Sequence, residues 1–233
     1  METTRSGHGA DESLAAMLSD VARALQAEPD VEATLQAVTR TAVDHLGGDA
    51  AGVSLLEDAR ITTVAPTDEI VVTIDKLQHR FGEGPCLHSI ADHHTYRADD
   101  LEREPRWPRF GPAAAALGVR SMLAYRLFVT DSTLGALNLY AGESAGFDAR
   151  AEHEGLLFAS HAAVALAGAK TERNLRAAIA TRDVIGTAKG ILMERHAIGA
   201  DEAFAMLVHT SQRANRKLHA VATWLVEHHA PGR

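Results

Sequence analysis

The side chains with the clearest chemical capacity in this chain are basic or amide groups near its C-terminal end. They are Lys189, Arg195, Arg213, Asn215, Arg216 and Lys217. An Arg guanidinium pairs bidentately with phosphate and stacks on unstacked bases, and a Lys ammonium adds a compact positive charge. The set therefore predicts contact with a nucleic acid, and an RNA loop suits it. A solvated surface charge stays the alternative for each cation, and a cap of the third helix stays the alternative for Asn215.

The distribution of charge assigns any contact with a polyanion to the C-terminal part of the chain. The net charge is −8. From Met1 to Ala169, 13 Lys and Arg residues stand against 25 Asp and Glu, whereas Lys170 to Arg233 holds 10 against 6. An acidic domain repels phosphates, and a basic one attracts them. We therefore expect the two parts to have different functions.

A second group of candidates lies in and beside the segment Phe81-Gly-Glu-Gly-Pro-Cys86. Phe81, Cys86 and His88 are the residues that we expect to line a ligand pocket, if the domain has one. The two glycines of the segment permit a tight turn, and its proline suits the first turn of a helix. The segment is thus as readily structural as functional, and the ligand, including any cofactor, stays unknown.

The cysteine and histidine content limits the chemistry further. Cys86 is the only cysteine, which excludes an intramolecular disulfide and a zinc site built on several thiolates. A thiol switch and a buried inert thiol both stay open for this residue. Four dispersed histidines are more typical of surface or hydrogen-bonded residues than of a metal or haem site, so no metal is predicted; they are His79, His88, His93 and His94.

The spacing of apolar residues predicts the elements that must position these side chains. We expect helices over 13–27, 30–46, 70–80 and 107–117, and strands over 51–56, 61–64, 121–129 and 133–140. The helix over 70–80 is the least clear, because consecutive β-branched residues there favour a strand. The pattern predicts an α+β domain with an antiparallel sheet, ending near residue 145.

From about Asp148 the sequence is helical to its end, because no proline occurs between Pro112 and Pro231 and Ala, Glu, Leu, Arg and Lys dominate residues 149–195. We expect one continuous or gently kinked helix there, with two helices broken near Gly168 or Gly186 as the alternative. Its apolar positions form an imperfect stripe that is compatible with a parallel dimer. We therefore predict a homodimer, held by the exposed apolar surface between Leu156 and Ile179.

The last fifty residues predict a small helical bundle. Gly199 is expected to end the first helix, and the core faces of the next two helices are expected to be Ala203, Phe204, Leu207, Val208 and Ser211, then Leu218, Val221, Ala222, Leu225 and Val226. Trp224, at the edge of the apolar face of the third helix, is expected to be a core residue, with a stacking platform as the alternative. Ala188 and Gly190 predict close packing, although small residues also let a phosphate backbone approach.

Three motifs in this region resemble the ANTAR domain family. They are Arg182-Asp-Val-Ile-Gly-Thr-Ala-Lys-Gly-Ile-Leu-Met-Glu-Arg195, Asp201-Glu-Ala-Phe-Ala-Met-Leu207 and Ser211-Gln-Arg-Ala-Asn-Arg-Lys-Leu218, followed by Val221-Ala222. The resemblance spans about Leu175 to His229 and implies an RNA-binding domain without catalytic residues. One departure is Ala200, where the family often has a Ser or Thr able to cap the second helix.

The N-terminal part resembles a GAF sensor domain from about Asp30 to Ala167, on the motif Phe81 to Cys86 and the later strands. The implied fold is an α+β GAF domain joined by a long helix to an all-α three-helix ANTAR bundle. We assign residues 1–12 to a disordered tail, 13–167 to the GAF domain with its flanking helices and 168–233 to the ANTAR domain. Signatures of cyclic-nucleotide and bilin-binding GAF domains are not found, and GAF domains that reduce methionine sulfoxide rely on several cysteines.

The resemblance implies a signal-responsive RNA-binding regulator that grips paired stem-loops in nascent transcripts and prevents transcription termination. The alternative is a DNA-binding, ligand-responsive transcription regulator, although the expected recognition helix after Lys217 carries little base-reading chemistry. No nucleophile–base pair, phosphate loop or metal cluster supports an enzyme. No apolar stretch is long enough to span a membrane and no signal peptide is evident, so we expect a cytoplasmic protein.

Overall fold

The computed structural model describes residue 19, residues 31–130 and residues 132–228. The predicted tail and almost all of the helix predicted over 13–27 lie outside the described residues. The chain divides into two compact units between Lys170 and Thr171. The domain boundaries assigned from the sequence stay predictions.

The first unit is built on a five-stranded sheet in the order β2-β1-β5-β4-β3, and every neighbouring pair of strands is antiparallel. The strands are β1 (Ala50–Glu57), β2 (Arg60–Val64), β3 (Tyr96–Ala98), β4 (Ser121–Val129) and β5 (Ser132–Ala141). Both predicted strand pairs are confirmed. The short edge strand β3 is absent from the sequence-based prediction, since three residues are too few to show an alternating pattern.

Four α-helices, part of a fifth and one short 3-10 helix connect or cover the strands. They are α1 (Val31–Leu46), α2 (Glu69–Phe81), α3 (Pro85–Asp92), a 3-10 helix (Leu101–Arg103), α4 (Phe110–Ala116) and the N-terminal part of α5 (Ala149–His196). The ambiguous segment is helical, as predicted. The Asp68 side chain accepts from the Ile70 N–H at its start, Gly82 closes it in the left-handed conformation, and its buried positions recur at helical spacing.

Each face of the sheet carries its own core, so the central strands are buried on both sides. Along β5, Leu137 and Leu139 join the core formed with α1 and α5, whereas Ala136 and Tyr140 join the core formed with α2, α3 and α4. Side chains alternate between the faces of a strand. Asn138, between Ala136 and Tyr140 in this alternation, therefore points to the second core.

The long helix α5 runs over 48 residues without a break at Gly168 or Gly186, as predicted. Ten consecutive residues, 171–180, are all exposed. Leu175 and Ile179 in this stretch are 63% and 56% exposed. No helix in the described part of the chain is long and apolar enough to cross a membrane.

The second unit is a bundle of the C-terminal part of α5 with α6 (Ala200–Ala214) and α7 (Leu218–Glu227). Its buried core residues are Ala188, Leu192, Ala203, Leu207, Val221 and Ala222. Two predicted core residues are wrong, because Phe204 is 40% exposed and Trp224 is 53% exposed. The stacked contact of Trp224 with His228 lies on the outside of α7.

Two predicted helix ends are also corrected. Gly199 does not end α5 but is the N-cap of α6, and Ala197 takes the positive φ of 52° after the last turn of α5. Asn215 does not cap α7. It adopts the left-handed conformation (φ 49°, ψ 43°) after the last residue of α6, a position that favours Gly or Asn.

Candidate nucleic-acid interface and sensor core

The last turn of α6 and the segment between α6 and α7 carry four of the six predicted contact residues. Arg213, Asn215, Arg216 and Lys217 are all exposed there. The Asn215 N–H donates to the Gln212 carbonyl at 3.2 Å, and the Arg216 N–H donates to the Ser211 carbonyl at 3.0 Å. These bonds close the end of α6 and hold the turn. Positive charges at the C-terminal end of a helix also stabilise the helix, because that end of the helix dipole is negative. This effect is a structural role for the same cations.

The other two predicted residues lie on α5, six positions apart. At 100° per residue, Lys189 and Arg195 point in directions that differ by about 120°. Lys189 is half-buried, and its Nζ is 5.8 Å from the centre of the Phe204 ring. Arg195 is exposed in the last turn of the helix. The structure thus groups four candidates on one turn and places Lys189 beside an aromatic ring that the sequence had assigned to the core.

The segment Phe81 to Cys86 organises the contact between α2, α3 and α4. The Glu83 carboxylate accepts from the Arg109 Nε at 2.6 Å and from the backbone N–H groups of Arg109 and Phe110 at 2.9 and 3.2 Å. It therefore caps α4, which has no cap of its own. The hydrogen bond from the Arg109 side chain lowers the pKa of Glu83 below its usual value.

The remaining residues of this segment have structural partners as well. Gly84 has a φ of 137°, and a Cβ there would lie 2.2 Å from the Gln78 Oε1, so only glycine fits. The Gln78 Oε1 accepts from the Cys86 N–H at 3.0 Å. Phe81 is half-buried, and its ring lies below the guanidinium groups of Arg80 and Arg109. These contacts give the motif a structural role.

His88 belongs to a cluster of aromatic rings at the outer side of this core. Its ring centre is 5.8 Å from that of Tyr96 and 5.7 Å from that of Trp107. The Trp107 Nε1 and the Gly84 carbonyl oxygen both lie 3.0 Å from the His88 Nδ1. Arg106 covers Trp107, with its guanidinium carbon 4.6 Å from the ring centre. No group of three metal-binding side chains occurs among the described residues.

A buried polar network in the second core was not predicted from the sequence. The Asp75 Oδ1 accepts from the Tyr140 hydroxyl at 2.6 Å and from the Gln78 Nε2 at 3.1 Å, and its Oδ2 accepts from the Ser54 and Thr63 hydroxyls at 3.0 and 2.7 Å. The Asn138 Nδ2 also donates to the Ser54 hydroxyl oxygen at 2.9 Å. Together these five hydrogen bonds join α2 to the strands β1, β2 and β5.

One atom of this network has no partner in the described structure, the Asn138 Oδ1. The signal for it in the sequence is a single amide within the apolar run Leu134-Gly-Ala-Leu-Asn-Leu-Tyr-Ala141. Buried polar atoms without partners are uncommon in folded proteins. Cys86, Ser54 and Asp75 surround the same region of the core. The sensor core therefore holds a polar centre within apolar walls.

Cys86 is buried beside this centre. Burial raises the pKa of its thiol to about 12, and the charge of Asp75 adds to the rise. The thiolate is the reactive form of cysteine, so this environment suppresses its reactivity at neutral pH. The geometry favours the inert thiol over the thiol switch.

We predict that Cys86→Ser changes the free energy of unfolding by no more than about 1 kcal/mol, because serine is close to cysteine in size and has the polar side chains of Ser54 and Asn138 beside it. Urea unfolding of the two proteins measures this. RNA affinity should also be equal for both proteins, before and after exposure to peroxide. A peroxide-dependent change of affinity that Cys86→Ser abolishes would establish the thiol switch instead.

The described chain combines a sheet domain that has a polar core with a small helical bundle that has an exposed basic turn. The chain belongs to the GAF domain family, whose model matches residues 28–167, and the ANTAR domain model matches residues 173–226. The resemblance stated from the sequence motifs is thereby confirmed. The architecture is that of a sensor domain followed by an RNA-binding regulatory domain.

Solved structures support the fold of the first unit. The GAF domain of a phosphoenolpyruvate-protein phosphotransferase from Coxiella burnetii is similar over 70% of this chain and 98% of its own, at 18% identity and a TM-score of 0.57. The free methionine-R-sulfoxide reductase from Neisseria meningitidis is similar over 74% of this chain and 96% of its own, at 17% identity and a TM-score of 0.53. No curated protein matches the chain. Although some structural neighbours are enzymes, the domain architecture is that of a regulator.

Proposed function

We propose that this protein is a signal-responsive RNA-binding regulator of the cytoplasm, which binds paired stem-loops in nascent transcripts and prevents their termination. The observation that carries the proposal is the exposed turn between α6 and α7, where three cations and one amide stand together in the ANTAR domain. Charged and amide groups at a tight turn fit the phosphates and unstacked bases of a loop. The acidic first part of the chain repels the same ligand and leaves it to the bundle.

Two copies of the chain would present two bundles to two stem-loops. The exposed part of α5 supports this stoichiometry, because Val164, Leu175 and Ile179 are 64%, 63% and 56% exposed on one helix. At 100° per residue the directions of the Leu175 and Ile179 side chains differ by about 40°. Such a stripe is the feature by which parallel helices pair. We therefore propose a homodimer formed along α5.

The stripe makes a direct prediction. Leu175→Glu together with Ile179→Glu should raise the dimer dissociation constant at least about 100-fold, or about 2.7 kcal/mol, because four like charges would face each other across the seam. Analytical ultracentrifugation measures the change. The matched control is Ala177→Glu, which adds a charge to the same exposed turn but on the opposite side of the helix. A wild-type protein that sediments as a monomer at micromolar concentration would contradict the dimer.

A DNA-binding regulator is the second candidate, and one feature argues against it. In a helix-turn-helix arrangement α7 would enter the major groove, yet after its N-cap Lys217 the helix Leu218–Glu227 contains no Lys or Arg. A gel-shift series with a hairpin RNA and with duplex DNA of the same sequence separates the two functions. We expect binding of the hairpin alone, and tighter binding of the duplex would contradict the proposal.

The sensor domain is proposed to respond to a small molecule. The unpartnered Asn138 Oδ1 beside Ser54, Asp75 and Cys86 supports a polar group as part of that ligand, since a donor placed there would complete the network. Mass spectrometry of the protein purified under native conditions, before and after unfolding, identifies a bound molecule. We expect the Asn138→Leu variant to keep its fold and to lose the bound molecule.

A further inference from the structure

Phe204 is one of the large apolar residues that the folding of the bundle leaves exposed. It is 40% exposed, while its neighbours Ala203 and Leu207 supply the buried contacts of α6. Burial of a phenyl ring is among the larger stabilising contributions that a single side chain makes, and this ring forfeits much of it. The ring is available to a partner.

A groove of about 540 Å³ opens beside this ring on the surface of the second unit. Arg182, Asp183, Gly186, Lys189 and Phe204 are among its lining residues. The volume lies in the range of about 300–1,000 Å³ that is usual for sites of small organic groups. Two cations against one carboxylate leave the groove with an excess positive charge.

Gly186 lines the groove on α5 without a side chain, and a second exposed glycine, Gly190, follows one helical turn later outside its lining. A Cβ built at either glycine meets nothing within 4 Å. Glycine is a poor helix former, and alanine would stabilise the helix at both positions. The structure gives no internal reason for glycine there, so the predicted close packing at Gly190 is wrong. Both positions leave room for a group that approaches from outside.

We propose that this groove binds one unpaired base of an RNA loop, stacked on the ring of Phe204. The Lys189 ammonium and the Arg182 guanidinium neutralise the adjacent phosphates, and the bare helix at Gly186 lets the sugar–phosphate backbone approach. The Asp183 carboxylate accepts hydrogen bonds from base amino or imino groups. The inference rests on the proposed RNA-binding function and assigns to it the residue that holds a base.

A second copy of the chain is the competing occupant, and charge argues against it. In a symmetric dimer the groove, which carries two cations and one carboxylate, would meet the same patch of the other copy. Like charges brought together in an interface are unfavourable. A polyanion has the opposite charge, and an unstacked base is the flat apolar surface that matches an exposed ring.

The test uses the full chain and a hairpin RNA that the wild-type protein selects from a library with a fixed stem and a random loop. Each loop nucleotide is replaced in turn by an abasic one, and each RNA is titrated with wild type and with Phe204→Leu. We expect one loop position at which loss of the base weakens wild-type binding roughly 5- to 150-fold. With the intact loop, Phe204→Leu should weaken RNA binding by the same factor. Phe204→Leu combined with the abasic nucleotide at that position should weaken binding no more than either change alone.

Phe204→Tyr keeps the ring and should retain the affinity. Met206→Ala is the matched control, because Met206 is a 38% exposed apolar residue on the same helix outside the groove, and it should change nothing. Additive losses at every loop position would overturn the proposal. A change in sedimentation of free Phe204→Leu with unchanged RNA affinity would overturn it in favour of an interface between copies.

Failure of the two proposals is distinguishable. If the library yields no binding RNA, the RNA-binding function is contradicted and this inference with it. If the selected hairpin responds to Arg216→Glu but not to Phe204→Leu, the inference alone is wrong.

Gly186→Ala separates binding from folding. Alanine has open space there and a better helix propensity, so the midpoint of thermal unfolding should rise. The added methyl group narrows the groove, so affinity for the selected hairpin should fall several-fold. A stabilised variant with unchanged affinity would contradict the close approach of the RNA to the helix.

Discussion

Reversal of charge at Lys189 or at Arg216 is expected to weaken hairpin RNA binding roughly 30- to 150-fold, equivalent to about 2–3 kcal/mol. Each change to Glu removes an attraction to phosphate and adds a repulsion. Arg216 is exposed on the turn between α6 and α7, and Lys189 is half-buried beside Phe204 but outside the buried core of the bundle. Both variants should therefore fold, which circular dichroism checks, and gel shift or fluorescence anisotropy measures the affinity.

The salt dependence of binding gives an independent measure of the same contacts. With single-stranded loop RNA, the log–log slope against salt should be about −0.7 per phosphate neutralised. Arg216→Ala should flatten that slope by roughly one contact. Lys76→Glu is the matched control, because Lys76 is an exposed cation of the acidic first unit. It should change neither the affinity nor the slope.

An unchanged affinity of folded Lys189→Glu and Arg216→Glu would mean that the RNA-binding face is misplaced. The next candidates would be Arg173, Arg176 and Arg182, which lie N-terminal to Lys189 on α5. Arg176 forms an ion pair with Glu172, so its charge is already partly compensated. The two variants thus test Lys189 and the turn between α6 and α7 before the cations that precede Lys189 on α5.

Removal of the buried carboxyl group in Asp75→Ala is expected to lower the free energy of unfolding of the first unit by about 3–5 kcal/mol. The carboxylate accepts hydrogen bonds from Ser54, Thr63, Gln78 and Tyr140, and alanine would leave these four donors without an acceptor. Burial, with the charge of Asp75, already raises the pKa of Tyr140 well above its usual value, so the hydroxyl stays a donor at neutral pH. Urea unfolding measures the loss.

Two further variants give the scale of this effect. Tyr140→Phe removes one donor and leaves Asp75 three, so it should cost only about 1 kcal/mol. Lys76→Ala, at the exposed neighbouring position, should stay within about 0.5 kcal/mol of wild type. A loss for Asp75→Ala no larger than that for Tyr140→Phe would contradict a network centred on the carboxyl group.

The sequence by itself determined most of the longer helices and strands and the order of the two domains. The helix over residues 149–196 follows from helix-forming residues without an internal proline, and the strand pairs follow from β-rich runs separated by turns. The GAF and ANTAR resemblances rest on linear motifs and needed no structure. These properties depend on residues close together in the chain, and local spacing carries them in full.

Only the tertiary structure decided which side chains are covered and which polar groups meet. Phe204 and Trp224 satisfy an amphipathic spacing, yet both lie beyond the width of the face that three short helices bury. Asn215 suits either helix end by composition, and the backbone of the turn places it at the end of α6. The polar centre joins Asp75 to Tyr140 and Ser54 to Asn138, pairs that are 65 and 84 residues apart. The spacing of apolar residues predicts each helix or strand separately. These contacts, by contrast, form only when the folded sheet brings distant elements together.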